Sequence, residues 1–323
     1  MSFTILLEPL LARFNLKFKE APSPTFNPKD PLLIRCTYHN DYKLARLYLR
    51  SSYSNVNIRD SLGRSPLMIA AMIGNLYLAR EFIIHGADIN AKDLNRCTAL
   101  MLAARYGHLN LLDLLLFAGA DLNPIDLQGY NALNHCISYN QINTLHRLID
   151  AGINVNVQPK NEFSVLMAVA SQGYVDIVLQ LLKAQASINA YDIDGVTALW
   201  LATCYNHEDT VRVLVEHGAN INAQTRWGET VLMRAARQGQ QHLVNYFLQI
   251  GVTLDHQDKE GRTALMHAIE KKQDGIVVSL INVGANIGLL DQKGNSALVI
   301  AGLNKNLFAI EQLKSAGMKI IWS

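Results

Sequence analysis

Leucine returns at a fixed interval of 33 residues through most of this chain. Leu67, Leu100, Leu133, Leu166, Leu199, Leu232, Leu265 and Leu298 stand in one unbroken register. A period of this length excludes a conventional single-core domain. It calls for a short supersecondary unit that buries its apolar face against copies of itself, because one unit alone cannot form a core. The same words surround each leucine, as in Asp60-Ser-Leu-Gly63-Arg-Ser-Pro-Leu67-Met-Ile-Ala70-Ala71 and Asp192-Ile-Asp-Gly195-Val-Thr-Ala-Leu199-Trp-Leu-Ala202. A Gly-Ala-x-x-Asn ending follows at Gly86–Asn90, Gly119–Asn123 and Gly218–Asn222.

The residues of one unit predict two helices. Thr98 suits the cap of a helix starting at Ala99, and Leu100, Ala103 and Ala104 give that helix a small apolar face that a neighbour can approach closely. Gly107 ends it. A second helix follows with Leu109, Leu112, Leu115 and Leu116 on one face, which only stacked neighbours can bury.

Period, turn glycine, helix-start Ser/Thr and Gly-Ala-x-x-Asn ending together resemble the ankyrin repeat, whose pattern is a turn, two antiparallel helices and a finger-like loop. The resemblance implies an all-α solenoid of stacked helix-turn-helix units with finger loops. Leu33, Cys36, Asn40 and Leu44-Ala45-Arg46 align with Leu67, Ala70, Gly74 and Leu78-Ala79-Arg80 at an offset of 34, which adds a degenerate first unit. The expected organisation is an array of nine repeats over 27–323, with modified units at both ends, preceded by a non-repeating segment, 1–26. Lys305 at a helix-ending glycine position suits the last of these modified units.

Two departures stand out. The residue after the leucine, His in the family signature, is Met68, Met101, Asn134, Met167, Trp200, Met233, Met266 and Val299, which reads as apolar filling between repeats. Pro159 and Glu162 replace the Asp and the turn glycine of the fifth finger, which predicts a distorted loop there.

Composition narrows the function classes. Half of the 323 residues are hydrophobic and the net charge is only +2, too apolar for a disordered chain and too neutral to favour nucleic acid. No apolar run reaches the roughly 18 residues of a membrane span. Cys36, Cys97, Cys136 and Cys204 are too dispersed for a zinc motif or a disulfide framework, and they point to a reducing compartment, the cytoplasm. Cys36 and Cys136 occupy the small buried position of Ala70, whereas Cys97 and Cys204 fall at variable positions expected on the surface. The ten histidines are scattered, and His85 and His217 suit helix C-termini. No phosphate loop, HExxH helix, GxSxG elbow or kinase signature occurs. The expectation is no enzyme, no catalytic residue, no cofactor and no metal.

The resemblance implies that fingers and first helices line a concave face whose variable positions meet a protein partner. On this chain those positions hold Arg105, Tyr106, Tyr130, Tyr139, Phe163, Tyr205, Arg226, Trp227 and Arg237. Aromatic and arginine side chains are the usual anchors of protein interfaces, and the arginines suit acidic groups on the partner. The chain is expected to act as a monomeric scaffold; the alternative is a bacterial effector or adaptor working in the host cytoplasm. The resemblance also implies that Asn57, Asn90, Asn123, Asn156, Asn189 and Asn222 bond the loop backbone and are candidate substrates of a hydroxylating enzyme.

Residues 1–26 carry Leu7, Leu10 or Leu11, Phe14 and Phe18 at helical spacing and an Ala-Pro-Ser-Pro linker at 21–24. The first reading is a cap that folds onto the apolar variable positions Leu62, Met72, Ile73 and Leu94. Docking of a partner comes second. Membrane contact comes third, favoured only by eight basic residues against four acidic ones in 1–58.

Overall fold

The computed structural model describes residues 27–51, 54–159 and 163–317. Segment 1–26 and its expected role therefore lie outside the described residues, as does Glu162. The contacts divide the chain into two compact units: residues to Val165 with Lys183–Ala186, and Leu166–Leu182 with the residues from Ser187 onward.

The first unit holds α1 (Leu32–Tyr38), α2 (Tyr42–Leu49), α3 (Pro66–Ile73), α4 (Leu76–Ile84), α5 (Ala99–Tyr106), α6 (Leu109–Phe117), α7 (Ala132–Ser138) and α8 (Ile142–Asp150). The second holds nearly all of α9 (Val165–Gln172), then α10 (Val175–Lys183), α11 (Ala198–Cys204), α12 (Glu208–Glu216), α13 (Val231–Gln238), α14 (Gln241–Gln249), α15 (Ala264–Glu270), α16 (Asp274–Asn282), α17 (Ala297–Leu303) and α18 (Leu307–Ser315). Within each unit, odd-numbered helices pack on odd and even on even, so hairpins stack side by side. Among the described residues, β-structure is limited to the isolated bridges Tyr191–Thr197 and Leu290–Ser296.

Local chemistry sets the helix boundaries. The side-chain oxygen of Thr98 accepts the Met101 N–H at 3.3 Å, and Ser65, Asn131, Thr197, Thr230, Thr263 and Ser296 act alike. In two of these caps the thioether that replaces the family histidine is used: Ser65 N–H lies 3.3 Å from Met68 Sδ, and Thr230 N–H lies 3.5 Å from Met233 Sδ. Gly107 ends α5 in the left-handed region. Asn40, Asn140, Asn206, Lys272 and Lys305 hold that conformation at equivalent places, with φ between 51° and 59°.

Burial follows the stacking. Leu67, Leu100, Leu133, Leu166, Leu199, Leu232 and Leu265 are all buried, as are Met68, Met101, Asn134, Met167, Trp200, Met233 and Met266; Val299 is 46% exposed. On α6 the buried set is Leu111, Leu112 and Leu115, so Leu111 joins the face predicted from spacing, while Leu109 and Leu116 are only half-buried. Each fully buried leucine contributes about 1.5–3 kcal/mol.

Polar ties join neighbours. Asn57 accepts Asp88 N–H at 2.8 Å, Asn90 accepts Asp121 N–H at 2.8 Å, and Asn123, Asn189 and Asn222 repeat the bond to the next unit. The second helices reach back. His108 Nε2 lies 3.1 Å from Met72 O, His207 Nε2 lies 3.0 Å from Ser171 O, and Gln240 donates to Thr203 O at 2.8 Å, each meeting a carbonyl in the last turn of the neighbouring first helix, where intrahelical partners run out. Fingers are joined by backbone: Leu94 N–H to Leu62 O and Leu127 N–H to Asn95 O in the first unit, Arg226 N–H to Asp194 O, Lys259 N–H to Trp227 O and Gln292 N–H to Glu260 O in the second.

This finger ladder leaves no space at Gly261, where φ is +74° and a Cβ would lie 2.8 Å from Gln292 N. Gly261→Ala is expected to cost about 1–2 kcal/mol from the left-handed backbone alone, and more from the displaced finger. Asn90→Ala, which removes one tie, is expected to cost about 1 kcal/mol. Urea denaturation followed by circular dichroism measures both; a Gly261→Ala midpoint equal to wild type would contradict the ladder.

Candidate partner-binding surface

Three finger side chains lie against the residue eight positions on, in the last turn of the first helix that follows. Arg64 Nη1 is 3.8 Å from Met72 Sδ, Arg105 Nη2 is 3.7 Å from Cys97 Sγ, and Arg262 pairs with Glu270. Fingers and first helices therefore share one side within each unit.

In the first unit this side holds Arg105, Tyr106, Tyr130, Tyr139 and Phe163, all half-buried. The Arg105 guanidinium lies 5.5 Å over the Tyr139 ring and 3.3 Å from His135 Nδ1. Tyr106 stacks on His108 with ring centroids 6.3 Å apart, and burial raises its phenol pKa. Tyr130 packs against His135 at 5.9 Å. Leu62, Leu94 and Leu127 stand exposed at successive fingertips. Of the residues expected to receive segment 1–26, Leu62 and Leu94 are open to solvent and Ile73 is half-buried. Met72 is 6% exposed and already covered, with Arg64 against its sulfur.

In the second unit, Arg226 is exposed, stacks 4.6 Å over Trp227 and pairs with Asp194 at 2.8 Å. Tyr205 sits beside His207 at 6.4 Å with its phenol pushed up to about 12 by burial. Arg237 is half-buried. His85 and His217 each place Nδ1 2.8 Å from a carbonyl of the preceding helical turn, the helix-end role expected of them.

The two cysteines expected on the surface are buried, Cys97 at 3% and Cys204 at 5% exposure. Arg105 and the residues around it cover Cys97, and burial, reinforced by Asp93, pushes its thiol to about 12. Arg234 Nη2 lies 3.1 Å from Cys204 Sγ while its guanidinium sits 4.9 Å over Trp200. Neither thiol is poised as a nucleophile, because the thiolate is the reactive form.

The histidines are less scattered in space than in sequence. His135 Nε2 lies 3.0 Å from Asp126 Oδ2, and His267 Nε2 lies 2.8 Å from Asp258 Oδ2, all four side chains buried. Cys97, Asp126 and His135 bring ligand atoms within 4.8 Å of one another, types that suit a transition metal. Arg105, however, faces both sulfur and imidazole, and Nε2 is committed to Asp126. An ion there would meet a guanidinium and would have to break the His–Asp bond, so the cluster is a neutralised packing network. Glu229, Asp258, His267 and Arg237 take the same register positions in the second unit, 132 residues on. Glu229 is fully buried, 3.8 Å from Arg234, and burial raises its carboxyl pKa against the pull of that guanidinium. The signal legible in the sequence was Asp and His nine apart in two units.

A family model for ankyrin repeats matches three times, over residues 33–126, 133–225 and 232–321. The chain belongs to the ankyrin-repeat family, whose members are generally protein–protein interaction modules and typically not enzymes. No helix among the described residues is long and apolar enough to cross a membrane.

Burial raises the pKa of Asp126 and of Asp258, but hydrogen bonds from the paired histidine and two finger N–H groups outweigh it and leave both below the ordinary value. A carboxyl depressed in the folded state stabilises above its unfolded pKa of about 3.9 and loses that contribution as pH falls through the folded value. Asp126→Asn with Asp258→Asn is therefore expected to lower stability at neutral pH and to flatten its fall below about pH 4. Urea midpoints across that range test this, and parallel curves for mutant and wild type would contradict it.

Proposed function

We propose that this chain is a non-enzymatic scaffold that binds a protein partner through the finger and first-helix side of its central repeats. The observation that carries this reading is a set of aromatic and arginine side chains held, within each unit, on the side not spent on stacking. Arg105 is stacked with Tyr139 in one unit and Arg226 with Trp227 in the other. Because the helices and fingers are fixed before contact, little ordering entropy opposes association. Large rings immobilised in this way add buried area at low cost. The buried thiols and the committed His–Asp pairs speak against nucleophilic or acid–base chemistry on the same side.

Tyr106→Ala with Trp227→Ala is expected to abolish capture of the partner while leaving helical circular dichroism intact, since truncation of an interface anchor costs about 2 kcal/mol or more. Cross-linking mass spectrometry on the wild-type complex should place the contacts on fingers and first helices. Unchanged capture by the double mutant, or cross-links confined to the second helices, would reject the site.

A further inference from the structure

Charge is segregated by side in the second unit. The solvent-facing finger and first-helix positions carry Arg226, Arg237, Lys259, Arg262, Lys271 and Lys293 against two carboxylates, Glu260 and Glu270. Both of those are already drawn to Arg262, Glu260 at 3.6 Å and Glu270 in a closer pair. The remaining acidic residues of these fingers are spent internally: Asp192, Asp258 and Asp291 accept finger N–H groups, Asp194 pairs with Arg226, and Glu229 is buried 3.8 Å from Arg234. The second helices α12, α14, α16 and α18 show the opposite balance, five carboxylates against Arg212 and Lys314.

The cations are also ordered in space. Arg226 and Lys259 occupy the same tip position in successive fingers, and the backbone bonds of the ladder hold those tips, and the next one bearing Lys293, side by side. Lys259 and Lys293 are exposed and make no ion pair among the described residues. Trp227, half-buried under Arg226, accepts the Lys259 N–H and so lies between Arg226 and Lys259 in the row. We infer that this side of the second unit docks an acidic segment of a protein, whose carboxylates meet Arg226, Lys259 and Lys293 in turn. The inference rests on the proposed scaffold function and names the chemistry of its partner. Complementary charge of this kind sets encounter rate and specificity, and it weakens with salt. A nucleic acid fits less well. Glu260 and Glu270 lie among the cations and repel an unbroken run of phosphates, whereas a peptide can space its carboxylates past them.

The test uses the full chain and a fluorescein-labelled oligoglutamate peptide, read by anisotropy at low and rising NaCl. Binding that weakens with salt, and that Lys259→Glu with Lys293→Glu reduces about tenfold or more while Arg212→Glu with Lys314→Glu leaves it unchanged, is the expected result. Equal urea midpoints confirm that both variants are folded. Absence of binding, equal loss in both variants, or tighter binding of a labelled RNA oligomer than of oligoglutamate would each overturn the inference. Its failure is separable from that of the scaffold function. Partner capture lost in the Tyr106/Trp227 variant but kept in the Lys259/Lys293 variant would overturn only the acidic segment.

Discussion

No hairpin among the described residues buries its own second helix unaided. Leu111, Leu112 and Leu115 on α6 disappear from solvent only because neighbouring hairpins lie on either side, and the same holds for Phe82 on α4 and Phe247 on α14. Everything else is arranged so that the next hairpin can come close: small alanines on the first helices, glycines where finger meets finger, and thioethers that adapt to the gap between repeats. Polar groups that stacking would strand are answered across the interface. Asparagines take the neighbour's N–H, and His108, His207 and Gln240 take a carbonyl at the end of the neighbour's helix. Apolar burial drives the stack, and these bonds set its register.

This division of labour separates what the sequence reveals from what it conceals. Helix starts, helix ends and the buried leucine register were legible because each depends on a few adjacent residues whose chemistry repeats. The tie made by each asparagine was legible only as a bond to some loop backbone, and its partner 31 residues away appears only when units are stacked. Cys97 shows where local reasoning fails. Its position is variable in the pattern, which suggests exposure, but Arg105 from its own repeat folds over the sulfur and His135 from the next repeat closes the space. The cluster draws on two repeats and is invisible along either one.

The candidate surface was partly legible for the same reason. Its residues were identified by position, and each of them is half-buried or exposed in the structure. What position could not reveal is how far each is already engaged. Arg105 is bound into the packing beneath it, whereas Arg226 remains exposed while touching Trp227 and Asp194. Two arginines of the candidate set thus differ in how far they are engaged: Arg105 is packed against Cys97 and His135, and Arg226 is exposed. The contrast between leucine fingertips in one unit and basic fingertips in the other has the same origin, since tip side chains are released from the demands of the fold.

The inter-repeat hydrogen bonds between side chain and backbone span about one repeat of chain, from 29 residues between Asn57 and Gly86 to 40 between Thr144 and Ala104. Native contacts within each unit are therefore short-ranged in sequence, the condition under which loop-closure entropy hinders assembly least. Ordering can begin at any well-formed hairpin pair and spread outward one neighbour at a time. Evolution can lengthen or shorten such a chain by whole cassettes without redesigning what is left.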